Sequence, residues 1–241
     1  DELADILAAE GVTICMGAEV TAVSLTDGGK QLTFSRAAGE EETAMVDELL
    51  MAVGRQAAVD GLSLEAAGVE MADGKIKTDD RLRTTVPHIW AAGDVADSYP
   101  FTHMATRQGE YVAEALISKK DVRPFAPGPV PWVTFTDPEL AHVGQTETQL
   151  QEQNIPYTTF AQPIKNVARA ITMGVENGRI KLLAAEDGQI LGGHILAPNG
   201  GELIAPILLA MQANVPIKKL ATTIWPYPTL SEALGKAAQN N

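Results

Sequence analysis

Four prolines fall within the nine residues Arg123-Pro124-Phe125-Ala126-Pro127-Gly128-Pro129-Val130-Pro131. Proline fixes φ and has no N–H to donate, so this stretch can neither continue a helix nor sit inside a sheet. It must run as a connector, and it is the clearest domain boundary in the chain. The 241 residues, 45% of them apolar, suffice for one large core or two smaller ones.

Upstream of the boundary, Leu3, Ile6 and Leu7 share one helical face in a segment that opens on Asp1 and Glu2 and meets Gly11 at the expected stop. Acidic residues in that first turn suit the positive end of the helix dipole. Strands are expected over residues 12–16, 19–25 and 31–35, with Asp27-Gly28-Gly29 as a hairpin turn. After the polar run Glu40-Glu41-Glu42 a further apolar strand is expected at 49–53, ending at Gly54-Arg55. Shorter strands follow at 76–78 and 89–92, then a helix from about His103 through Leu116 whose Met104, Gln108, Tyr111, Val112 and Ala115 make one broad face.

Downstream, strands are read at 132–135, 157–160, 180–185 and 190–196, the last two joined by the Glu186-Asp187-Gly188-Gln189 turn. Helices are read at 147–153, 201–213, 217–221 and 230–238. Strands paired by hairpins and flanked by helices indicate an α+β domain.

The 18 basic and 31 acidic residues give a net charge of -13, which repels nucleic-acid backbones and anionic lipid. No apolar run approaches the roughly 20 residues of a membrane span, and no basic-then-apolar leader opens the chain, so a cytoplasmic protein without nucleic-acid or membrane partners is expected. The single cysteine, Cys15, cannot form an internal disulfide and reads as a core thiol. His88, His142 and His194 share no ligand spacing and read as surface or core residues, so no metal site is expected.

Two motifs carry chemistry. Gly93-Asp94 closes the apolar run Ile89-Trp90-Ala91-Ala92, where a carboxylate can accept hydrogen bonds from a ribose-like or ribityl hydroxyl and a glycine admits a ligand to the backbone. Alone, Gly-Asp is a turn signal, and in isolation the turn is the favoured reading. The following helix start, Phe101-Thr102-His103-Met104-Ala105, offers N–H donors and about half a positive charge, though His103 alone would be an ordinary helix-start side chain. The second motif is Trp225-Pro226-Tyr227-Pro228-Thr229-Leu230-Ser231-Glu232, which by itself would be an aromatic-proline loop capping the last helix.

Together these resemble the flavoprotein pyridine nucleotide-disulfide oxidoreductases, the family of dihydrolipoamide dehydrogenase, glutathione reductase and mercuric reductase. Thr85-x-Pro87-x-Ile89-x-Ala91-Ala92-Gly93-Asp94 resembles the family's second FAD-binding motif, and residues 101–105 resemble the segment aimed at the flavin pyrimidine edge. Ala52-Val53-Gly54-Arg55 resembles the crossover from nicotinamide domain to flavin domain, while 135–144 and 192–204 resemble the opening strand and the last strand and helix of the interface domain. The resemblance implies that Gly93, Asp94, Thr102, His103 and Ala105 bind FAD and that Tyr227 and Glu232 are catalytic. In the family a histidine, paired with the glutamate, exchanges protons with a dithiol; here Tyr227 takes its place. A phenol of pKa about 10 is a poor base near neutrality, which turns attention from lipoamide and glutathione disulfides toward the mercuric reductases, whose tail is similar.

No Gly-x-Gly-x-x-Gly loop and no closely spaced cysteine pair occurs in the sequence. The reading is therefore the carboxyl-terminal half of such an enzyme. Its fold class is α/β and α+β: partial FAD- and NAD(P)-binding Rossmann-like segments, followed by an α+β interface domain with an antiparallel sheet. Residues 1–48 are expected to be a nicotinamide-domain remnant, 49–125 the end of the flavin domain, and 126–241 the dimerisation domain of a homodimer. The parent would use NAD(P)H and FAD to reduce a disulfide or metal ion, and the chain alone is expected to be inactive. Two alternatives stand beside this: a non-catalytic dimerisation module lacking flavin, and a metal-handling protein.

Overall fold

A computed structural model describes residues 2–36, 39–96, 99–118 and 123–240. The chain forms two compact units, residues 1–56 and 57–241.

In the first unit, helix α1 spans Glu2–Ala9; Asp1 lies outside the described residues. Strands β1 (Glu19–Thr26), β2 (Gly29–Ser35) and β3 (Glu41–Val46) form an antiparallel meander in that order. Thr26 pairs with Gly29 across the expected hairpin turn. Strand β3 was hidden in what reads as a polar run, because an edge strand tolerates charge on alternate positions and needs no continuous apolar face. The expected strands at 12–16 and 49–53 are absent. Both have strand-like composition, but a strand also needs a hydrogen-bonding neighbour, and among the described residues neither has one. Leu50 is 89% exposed and Val53 85%.

The second unit opens with the small hairpin β4 (Met71–Ala72) and β5 (Lys75–Ile76). Val69, Ile76 and Ala91 form a small core with Leu64, Val86 and Ile89 around them. Segments 76–78 and 89–92, expected as strands, mostly contribute isolated bridges, Thr78 to Thr84 and Arg83 to Trp90. Their chain turns too often for a ladder to extend. Helix α2 follows at Thr102–Ser118, burying Met104, Gln108 and Ala115.

Beyond the prolines stand five antiparallel strands: β6 (Pro131–Thr134), β7 (Glu139–Gly144), β8 (Thr158–Pro163), β9 (Arg179–Ala184) and β10 (Ile190–Ala197). Their spatial order is β6-β7-β10-β9-β8. Between and after them lie α3 (Glu147–Glu152), α4 (Ala168–Met173), α5 (Gly200–Gln212), α6 (Ile217–Thr222) and α7 (Glu232–Ala237). Thr146 and Gln149 form a capping box that fixes the start of α3. Side chains alternate along the strands, so Ala141, Val143, Ile180, Leu182 and Ile195 fill one face and pack with Leu203, Ile204 and Ile207 of α5. Gly193 permits that approach: a Cβ there would lie 2.8 Å from Ile207 Cγ2. The α/β and α+β character expected from the sequence holds, with the antiparallel sheet in the predicted place.

Candidate functional site

Gly93 sits at a turn with φ of +83° and is buried. A Cβ at this position would stand 3.2 Å from Ala105 Cβ, so glycine lets the first turn of α2 press against the turn. Gln108, one turn further along α2, closes the contact: its Oε1 accepts the Gly93 N–H at 2.6 Å, and the residue is 1% exposed. The two segments are thereby locked as one piece. Asp94 is half-buried beside Gly93, while Thr102 and His103 are exposed at the helix tip and Ala105 is half-buried.

Of the five predicted cofactor residues, Gly93 and Ala105 are brought into contact, with Asp94 next to Gly93 in the turn and Thr102 and His103 in the first turn of α2. The first N–H groups of a helix lack intrahelical acceptors, and the macrodipole there favours negative charge. A carboxylate for a hydroxyl and a helix tip for an electron-rich edge suit the polar parts of a flavin dinucleotide, so the residues fit FAD. Aromatic rings stand at the start of α2. Phe101 stacks on His103 at 5.3 Å between centroids and on Trp132 of β6 at 5.9 Å.

The second predicted locus is the loop into α7. Trp225 donates from Nε1 to Leu220 O at 3.1 Å and lies over Gly235. The Tyr227–Pro228 peptide is cis. Tyr227 is 74% exposed. Among the described residues no hydrogen bond joins its hydroxyl to Glu232. That carboxylate instead pairs through Oε1 with Lys236 at 2.8 Å, as helix neighbours four apart do. Its Oε2 is buried without a partner. Tyr227 therefore stands in the loop and Glu232 at the start of α7, with no hydrogen bond between them among the described residues. Beside them a cavity of about 470 Å³ opens between Arg169, Asn199, Glu202, Thr229 and Ser231.

Gln108 was legible only as one member of a buried helix face; its bond to Gly93 spans 15 residues and has no local signature. The proximity of His142 to His194 was likewise invisible, since 52 residues separate them. Among the described residues no cluster of three or more His, Cys, Asp or Glu side chains is placed to hold a metal ion, and no helix is long and apolar enough to cross a membrane.

The pyridine nucleotide-disulphide oxidoreductase profile matches residues 1–109, and the profile of that family's dimerisation domain matches 130–238. Dihydrolipoyl dehydrogenase of Cupriavidus necator is 35% identical over 96% of this chain and 49% of its own length. Mercuric reductase of Streptomyces lividans is 35% identical over 98% of this chain and 50% of its own. The HOCl-induced flavoprotein disulfide reductase RclA of Escherichia coli superposes with a TM-score of 0.88 at 29% identity, covering 99% of this chain and 54% of that one. The chain spans about half the length of the curated relatives it matches. With both profiles matched in order along the chain, the chain belongs to the pyridine nucleotide-disulphide oxidoreductase family.

Proposed function

We propose that the chain contributes one wall of the flavin site and the dimerisation face of an FAD-dependent enzyme that moves electrons from NAD(P)H to a disulfide or metal-ion substrate. The observation that carries this reading is the buried Gln108–Gly93 hydrogen bond, which fixes the Asp94 turn against the tip of α2. In this reading Asp94 accepts a hydrogen bond from a ribityl hydroxyl. Gly93 and Ala105, packed on each other, hold that turn against α2, and the N–H groups at Thr102 and His103 steady negative charge on the pyrimidine edge of the cofactor. Bound FAD would supply hydride acceptance and electron-pair delivery. The exposed Tyr227 hydroxyl would donate a hydrogen bond to a substrate thiolate or metal-bound ligand, and Glu232 would reach the same site across the dimer. A phenol in place of an imidazole favours substrates that need no general base at neutral pH.

The same reading assigns residues 1–48 to the nicotinamide domain, 49–125 to the flavin domain and 126–241 to the interface of a homodimer. It places the protein in the cytoplasm. Turnover by this chain alone is not expected, because its sequence holds neither a Gly-x-Gly-x-x-Gly loop nor a cysteine pair.

The test is FAD titration of the purified chain, followed by flavin fluorescence, with dimerisation measured by sedimentation. Saturable quenching that weakens in Asp94→Ala supports the proposal. An intact dimer that takes up no flavin supports the alternative, a non-catalytic dimerisation module.

A further inference from the structure

His142 on β7 and His194 on β10 stand directly opposite each other, on the sheet face away from α5. The same cross-strand row continues to Trp132 on one side and Lys181 on the other. The two Nδ1 atoms face each other at 2.9 Å. Each Nε2 is meanwhile held by a backbone carbonyl: Gly144 O at 2.9 Å from His142, and Gln145 O at 3.2 Å from His194.

The protons can be counted. A carbonyl oxygen only accepts, so both Nε2 atoms must carry hydrogen. A neutral imidazole has one N–H, and each ring has spent it there. The Nδ1···Nδ1 contact then sets two lone pairs against each other. One additional proton supplies the missing hydrogen and completes three bonds with three hydrogens. A second additional proton would put two cations in contact, which like-charge repulsion forbids.

We propose that His142 and His194 bind a single proton between their Nδ1 atoms, forming an acid-sensing site whose charge is presented to the indole of Trp132.

The surroundings set its range. Burial, followed by the charge of its neighbour, pulls His194 down to about 4, and burial also lowers His142. The charged groups facing the pair are Lys181 from β9 and Glu147 from α3, and these bond to each other, so they largely cancel. Against burial stand the shared hydrogen bond and the indole face of Trp132, whose ring centroid is 3.8 Å from that of His142. None of this depends on flavin binding, so the site stands or falls apart from the proposed enzymatic role.

The experiment is a pH titration of the intact chain by long-range ¹H–¹⁵N correlation of its imidazoles, with tryptophan emission recorded in parallel. The expected result is that the Nδ1 signals of His142 and His194 move together in one step, one proton per pair, between about 4 and 6.5. Both Nε2 atoms stay protonated throughout. Emission falls over the same interval, because an imidazolium quenches an adjacent indole. Trp132→Phe removes the emission change and keeps the joint step; His194→Asn removes both. Two independent steps in the wild type overturn the proposal, whether or not His194→Asn folds, and so does an emission change that survives Trp132→Phe.

Discussion

Replacing Gln108 by methionine tests whether one buried hydrogen bond holds the candidate site together. Methionine preserves chain length and approximate volume but offers only a weak sulfur acceptor, so the packing of α2 is nearly unchanged. What is lost is the acceptor for the Gly93 N–H, a bond of 2.6 Å at a residue 1% exposed. No water can replace it at that depth. Leaving a buried amide unpaired costs about 1–3 kcal/mol, and a loss of about 2 kcal/mol corresponds to roughly a thirtyfold change in an opening equilibrium. Native-state hydrogen exchange should therefore show the Gly93 amide exchanging some tenfold or more faster in Gln108→Met, with a lower urea midpoint for the second unit. Amides of the central strand β10 should lose protection only to the extent that global stability falls. Unchanged exchange at Gly93 would refute the claim that Gln108 fixes this wall.

Gly193→Ala should destabilise by about 1–3 kcal/mol, since its Cβ would meet Ile207 Cγ2 at 2.8 Å; in an Ile207→Ala background, which lacks that atom, the same substitution should lower the urea midpoint less. Tyr227→Phe removes a hydroxyl without a hydrogen bond to Glu232 from a side chain 74% exposed, so the unfolding free energy should hold within about 0.5 kcal/mol in a urea titration. Any loss of substrate reduction in an assembled enzyme would then be chemical in origin. The Glu147 carboxyl is held below its ordinary range, first by the hydrogen bond from Lys181, then by that from Thr159. A lowered carboxyl pKa contributes stability that is present above the unfolded value of 4.5 and is lost as pH falls through the lowered folded value. Urea midpoints of the wild type should drop in that acid window more than those of Glu147→Gln.

The elements most legible in the sequence were those whose signals are local. The hairpin turns at 27–29 and 186–189 follow from short-range turn signals, and the strand read at 190–196 and the helix read at 201–213 stand within one residue of those spans, as β10 and α5. The strands expected at 12–16 and 49–53 failed because composition reports a wish for a sheet, not the presence of a neighbour. Strand β3 and helix α4 were missed for the converse reason: tertiary contacts hold Glu41–Val46 and Ala168–Met173 in place without a strong periodic signature. At the candidate site, Gly93, Asp94 and residues 102–105 were visible as a motif. Their clamp, Gln108, and the His142–His194 contact were not, since each arises only when distant segments meet.

The position of β10 bears on how the chain acquires its shape. It is the last strand in sequence yet the middle one in space, flanked by β7 and β9. The β6-β7 hairpin and the β8-β9 pair can each close early, but until residue 197 leaves the ribosome both retain an unpaired edge facing nothing. Such edges recruit other strands, so a nascent chain stalled before this point should be a target for chaperones and a source of aggregates, and the insertion of one segment should convert two sticky hairpins into a closed sheet.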